Sequence, residues 1–196
     1  MSTQEDAEQK VIYCVQKLVE IIVYSRNCFP APFLSSKEPS SKESNMKHSI
    51  QYTKEHIFRN WKHDVYSSLN LTIYLKVNSN DLVLLESWTF RCLRGGNDQI
   101  SGRSNLSRRI GILIRSLYCY VRLLPAFNLS YMNPDSLVFK FDPQTSSETL
   151  IPLSNDFVFP RLISPPIGFL IAKVSYLDIK KIKVFFQTNI RKNILN

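Results

Sequence analysis

The chain has 196 residues, 25 basic and 16 acidic side chains for a net charge of +9, and is 44% hydrophobic and 12% aromatic. This is about one domain's length with enough apolar material for a core, which excludes an acidic disordered polymer; five glycines and ten prolines exclude collagen-like and Gly-rich low-complexity chains. No apolar run reaches the roughly 18–20 residues of a membrane-spanning helix, and the polar, acidic start MSTQEDAEQK lacks a signal-peptide layout, so the cytosol or nucleus is expected.

Residues Ala7–Ser25 read as an amphipathic helix. Val11, Val15, Leu18, Ile22 and Ser25 share a face, Ile12, Val19 and Ile21 widen it, and Lys10, Gln16, Lys17 and Glu20 take the other side. The helix is expected to stop near Arg26-Asn27, ahead of Phe29-Pro30. Residues 29–52 read as a flexible inserted loop, FPAPF followed by a Ser/Lys/Glu/Pro run that cannot bury enough apolar surface to order itself. Thr53–Ser67 suits a short helix carrying Ile57, Phe58, Trp61 and Val65.

Leu69, Leu71, Ile73, Leu75 and Val77 alternate as in a strand, Asn78–Asp81 supplies turn chemistry, and Leu82–Leu93 reads as the antiparallel partner. After the loop Arg94–Asn105, Leu106–Leu124 is the strongest element. Leu106, Ile110, Leu113, Leu117, Tyr120 and Leu124 lie within about 40° of one line, and Ile112, Ile114, Val121 and Leu123 make most of the rest apolar, which predicts a central, buried helix ended by Pro125. Strands are expected at Ser136–Phe141 and Phe169–Tyr176, separated by an irregular Pro- and Ser-rich stretch.

The charge is concentrated. Arg91–Arg122 holds seven arginines against the single acid Asp98, and Ile179–Asn196 holds five basic residues and no acid. Such clustering points to an anionic partner more than to general solubility. Arg108, Arg115 and Arg122 are seven apart. Seven helical steps return to within about 20° of the start, so the three form a ridge opposite the apolar stripe. Arginine forks match phosphate and carboxylate; the plainer reading of a charged stripe is a face in water.

Catalytic signatures are missing. The sequence holds no phosphate loop, dinucleotide fingerprint, nucleophile elbow or H-E-x-x-H. His56 and His63 are seven apart, about 10 Å along a helix, too far to share a metal. Glu86 and Asp64 are single acids with no partner evident in the sequence. The cysteines Cys14, Cys28, Cys92 and Cys119 have no C-x-x-C spacing, which favours reduced thiols over structural zinc. The three N-x-S/T matches, at Asn70, Asn105 and Asn128, read as chance without secretion. An enzyme, a metal or a cofactor is not expected.

Two segments carry a resemblance. Leu84-Leu85-Glu86-Ser87-Trp88, and the helix ending Ile114-Arg115-Ser116-Leu117-Tyr118-Cys119-Tyr120-Val121-Arg122-Leu123-Leu124-Pro125-Ala126-Phe127, resemble the N-terminal HORMA domain of the autophagy-related protein 13 family, with its L-E-x-W strand and R-x-L-Y-x-x-x-R-L-x-P-A-[YFW] helix. Ser25-Arg26 and Ser164-Pro165-Pro166-Ile167-Gly168 are similar to the family too, so the likeness runs from about Val11 to about Tyr176. The family's W-F-N after the first helix is replaced here by FPAPFLSS.

The resemblance implies an α+β HORMA fold over residues 1–178, helices packed on a mainly antiparallel sheet with a C-terminal safety-belt segment. Residues 179–196 form a basic tail, expected to be disordered or non-native, in place of the long tail through which the family contacts the autophagy-initiating kinase and scaffold subunit. The implied function is a non-enzymatic adaptor at the phagophore assembly site in the cytoplasm. It would pair with a second HORMA protein and recruit the autophagy lipid kinase complex and scramblase. A basic pocket for phosphate is also implied; Arg115 and Arg122 match basic positions of the helix motif, with Arg108, Arg109 and Arg161 ranked after them. The alternatives are a HORMA adaptor of the spindle checkpoint or meiotic axis, against which the R-L-L-P-A-F helix end argues, and a nucleic-acid-binding domain resting on charge alone.

Overall fold

The computed structural model describes residues 3–26, 66–77, 81–94, 106–132, 136–142, 153–164, 167–178 and 180–182. The expected loop 29–52, the turn residues Asn78–Asn80, Trp61, the three histidines and most of the Thr53–Ser67 helix and of the basic tail lie outside them.

Helix α1 spans Thr3–Arg26 and begins four residues before the expected Ala7. Glu5 and Asp6 sit in its first turn and Arg26 in its last, each at the end of the helix dipole that favours its charge. Asp6–Lys10 and Lys17–Glu20 pair along its outer side. Val11, Val15, Leu18 and Ile22 are fully buried as the spacing requires. Ala7, Ile12, Cys14, Val19 and Val23 are buried as well, because α1 packs against two further helical segments in addition to the sheet.

Among the described residues the sheet has six antiparallel strands: β1 Leu69–Lys76, β2 Leu82–Arg94, β3 Leu137–Asp142, β4 Asn155–Val158, β5 Leu162–Ser164 and β6 Gly168–Tyr176. Their order is β3-β1-β2-β6-β4, with β5 also paired to β6. The expected hairpin is β1–β2. Ile73 pairs with Glu86 but Tyr74 with Leu84, leaving Leu85 as one extra residue in β2. This bulge resets the side-chain alternation. Val83 and Leu85 belong to the core before it; Glu86, Trp88, Phe90 and Cys92 are buried after it. The Leu85 carbonyl accepts a 2.9 Å bond from the Leu177 N–H, so the bulge also holds the chain where it leaves β6.

The stretch expected to be irregular supplies β4 and β5. Both pair with β6, but Val158 pairs with Lys173 and Leu162 with Leu170, four steps against three. The extra residue falls at Phe159-Pro160-Arg161, where proline's missing N–H is tolerated. Gly168 opens β6 with φ 125°, which explains a glycine there.

Helix α2 runs Leu106–Tyr120 and tightens into a 3₁₀ turn, Val121–Leu123; Pro125–Met132 is then a separate helix, α3. Pro125 thus starts a helix, as well as following the end of one, since its ring presets the first helical φ. The expectation of a helix buried all round is also corrected: Ile110, Leu113 and Leu117 are buried, whereas Ile112 is 47%, Tyr118 46% and Leu123 76% exposed. α2 packs on α1 and β5, so only its predicted stripe is covered. Beyond β6, residues 180–182 turn helically and bury Ile182.

Candidate functional site

The residues that carried the family resemblance converge inside the molecule. Arg26, at the end of α1, and Glu86, just past the β2 bulge, are both 0% exposed and form an ion pair. Arg26 Nη2 donates to both carboxylate oxygens at 2.9 Å. Its Nη1 donates to the Val121 carbonyl at 2.8 Å and to Ser25 Oγ at 3.0 Å. Trp88 Nε1 donates to Glu86 Oε2 at 2.9 Å, and the guanidinium lies 6.0 Å from the Phe127 ring centroid. The Val121 carbonyl is open to Arg26 where the α-helical ladder tightens into the 3₁₀ turn. Among the described residues Arg26 Nε has no partner.

This network was not legible in the sequence. Glu86 read there as an acid without a partner, and its partner is 60 positions away. The repeated appearance of Ser-Arg, L-E-x-W and R-L-x-P-A-F in one resemblance was the available signal. Trp88 is fully buried in the core, its ring centroid 6.1 Å from that of Phe159. Phe159 packs edge-on to Tyr120 and Phe157, which stack on each other at 4.0 Å. Burial and the Tyr176 hydroxyl at 3.5 Å push the Tyr120 phenol well above its usual range.

The five arginines expected to bind an anion fall into two places. Arg108, Arg115 and Arg122 are exposed along the outer side of α2. Arg115 Nε donates to the Gly111 carbonyl at 3.1 Å. Arg122 lies 3.9 Å from the Tyr118 ring centroid and donates to the Tyr118 hydroxyl. Arg115 and Arg122 are thus drawn to their own helix. Arg109 and Arg161 lie elsewhere, on one surface depression. They line one open cleft of about 300 Å³ between α2 and the β4–β5 bulge. Arg109, Ile112, Leu113 and Ser116 form one wall, at the spacing of a single helix face; Pro160, Arg161, Leu162 and Ile163 form the other. Two arginines lining one cleft offer an anionic group charge-assisted hydrogen bonds.

Among the described residues no cluster of His, Cys, Asp and Glu could hold a metal, and no helix is long and apolar enough to cross a membrane. Cys14, Cys92 and Cys119 are free thiols. Burial pushes the Cys14 thiol up to about 12, with a smaller contribution from Cys92, and burial pushes Cys92 up to about 12 as well. Neither is a ready nucleophile. Asn70 is buried in β1, so that N-x-T match is not an accessible acceptor.

A family model described as autophagy-related protein 13 matches residues 18–137, which contain the β2 motif and the whole of α2 and α3. The chain belongs to the autophagy-related protein 13 family. Family membership and fold agree: the solved structure of an Atg13 HORMA domain superposes with TM-score 0.56 at 15% identity, covering 90% of this chain and 96% of that one. A chain of a mitotic checkpoint complex gives 0.55 at 17% identity, covering 87% and 98%. C. elegans HTP-2, solved bound to a HIM-3 closure motif, gives 0.55 at 12% identity, covering 89% and 92%. These likenesses establish a HORMA fold, α+β with helices on an antiparallel sheet. A sequence search among curated proteins returns no match.

Proposed function

We propose that the chain is a non-enzymatic autophagy adaptor that works through its surfaces, with the cleft between α2 and the β4–β5 bulge as its anion-reading site. The observation that carries the site is that Arg109 and Arg161 line opposite walls of one cleft. Membership of the autophagy-related protein 13 family supports the pathway. On this reading the domain, residues 1–178, pairs with a second HORMA protein and helps bring the lipid kinase complex and scramblase to the phagophore assembly site in the cytoplasm, while contact with the autophagy-initiating kinase and scaffold subunit belongs to the family's long tail. The adaptors with related folds support binding by surfaces over catalysis: one was solved within a mitotic checkpoint complex and another with a closure motif.

Arg115 and Arg122, preferred because they match basic positions of the family's helix motif, and Arg108 belong on this reading to a solvated ridge. The test compares Arg109→Ala/Arg161→Ala with Arg115→Ala/Arg122→Ala in pull-downs of a HORMA partner and in binding of a phosphoserine peptide library. Loss of phosphopeptide retention in the first variant alone supports the cleft. Equal loss in both, or loss only in the second, refutes it.

A further inference from the structure

Helix α1 buries one side and leaves a line of large side chains on the other. Tyr13 is 56% and Tyr24 50% exposed, the exposed large apolar side chains of this helix among the described residues. Single exposed apolar side chains are ordinary on a protein surface, but these two belong to one patch. At 100° per residue Tyr13, Lys17, Glu20 and Tyr24 fall within about 60° of one another around the helix. Lys17 Nζ lies 5.5 Å from the Tyr13 ring centroid and pairs with Glu20 at 2.7 Å. The hydrogen bond to Glu20 raises the Lys17 ammonium above its ordinary range, and Tyr13 and Tyr24 both contribute in the same direction.

The order of residues along this line is self-complementary. Lys17 and Glu20 sit at its centre, Lys17 four residues in from Tyr13 and Glu20 four in from Tyr24. Reversing the helix direction exchanges Tyr13 with Tyr24 and Lys17 with Glu20, and the flanking Gln16 with Ile21. Two copies of the face laid antiparallel, about a two-fold axis between Leu18 and Val19, therefore set each tyrosine against a tyrosine and each lysine against a glutamate. The two tyrosine contacts then lie about 16.5 Å apart along the helices. A two-fold interface requires this pattern, residue i meeting j and j meeting i.

We infer that the outer face of α1 is a self-association surface on which a second copy of the chain docks antiparallel through Tyr13, Lys17, Glu20 and Tyr24. Charge complementarity selects this occupant. A uniformly acidic or basic partner would leave Glu20 or Lys17 facing a like charge, whereas the reversed copy satisfies both. The tyrosines supply the aromatic contact typical of interface centres, and the two Lys17–Glu20 pairs join into a four-charge network. The contact is small, about three helical turns long, well short of the roughly 1,600 Å² that a stable interface buries. Association is therefore weak and acts where copies of the chain are already concentrated.

Sedimentation velocity of the full chain over a concentration series tests this. The parent should move toward a dimer as concentration rises. Lys17→Glu and Glu20→Lys should each weaken dimerisation by at least about tenfold, because each sets like charges across the axis. An equimolar mixture of the two single variants should recover the parent's association, since one chain then presents two acids at the centre and the other two bases. The doubly swapped chain Lys17→Glu/Glu20→Lys keeps an opposite-charge pair within its own helix and should associate as the parent does. Tyr24→Ser should abolish association with an unchanged circular dichroism spectrum, its side chain being half exposed. A parent with no concentration dependence, single variants that associate as the parent does, or a mixture and a doubly swapped chain that stay as weak as the singles overturn the inference.

Discussion

Removing either member of the Arg26–Glu86 pair should be among the costliest single changes in the molecule. Both side chains are wholly out of water, and the carboxylate accepts three hydrogen bonds, two from Arg26 and one from Trp88. Arg26→Met strips two of those and leaves a buried charge facing a single donor. Glu86→Leu leaves a buried guanidinium, whose Nε already has no partner among the described residues, opposite an apolar side chain. Breaking a buried pair on one side costs about 3–5 kcal/mol, a large part of a stability of about 5–15 kcal/mol. The double variant Arg26→Met/Glu86→Leu loses both charges together. What remains is the cost of orphaning the Val121 carbonyl and Trp88 Nε1, about 1–3 kcal/mol each. The double change should therefore cost clearly less than the two single changes added, with a coupling of about 3 kcal/mol. Urea unfolding followed by circular dichroism measures it, each single variant shifting the midpoint down by about 2 M. Single variants within about 1 kcal/mol of the parent, or strict additivity, would refute the reasoning.

Phe159→Ala should cost about 3–5 kcal/mol, read in the same urea assay, because Phe159 bridges Trp88 to Tyr120 and Phe157. Gly168→Ala should cost about 1–3 kcal/mol through its φ of 125°, and a neutral result would contradict the backbone assignment. Cys14 and Cys92 have native values raised to about 12 against about 9 for the free thiol. Their contribution is thus whole below pH 9 and lost as pH climbs from 9 toward 12, so a stability–pH curve should fall on the alkaline side and flatten in Cys14→Ala/Cys92→Ala. In a Cys28→Ser background, native protein should show one thiol reacting fast with a maleimide, the exposed Cys119, and two more only on unfolding.

Elements with a strong local period were legible: α1, the β1–β2 hairpin, the covered stripe of α2, and β6 all fall where alternation or 3.6-residue spacing puts them. β4 and β5 were not. Asn155–Val158 and Leu162–Ser164 are too short to show a period, and prolines surround them. They become strands because β6 offers an edge, a long-range cause. The helix continuing past Pro125 was missed because proline is a stop signal inside a helix and a start signal at its first position, and which one applies depends on where the chain turns.

The sequence by itself determined the family, the α+β class, the buried faces and the presence of clustered positive charge, since each is written in residue order or local spacing. Tertiary structure decided the rest. It took the arginines that share one helix face out toward water, and put Arg109 and Arg161, 52 positions later in the chain, on the two walls of one cleft, because α2 packs along β5. It also turned Glu86 from an isolated acid into the centre of a buried network, by a single extra residue in β2 that rotates it onto the face where α1 ends. Neither juxtaposition has a local signal, because both depend on which distant surfaces must cover one another.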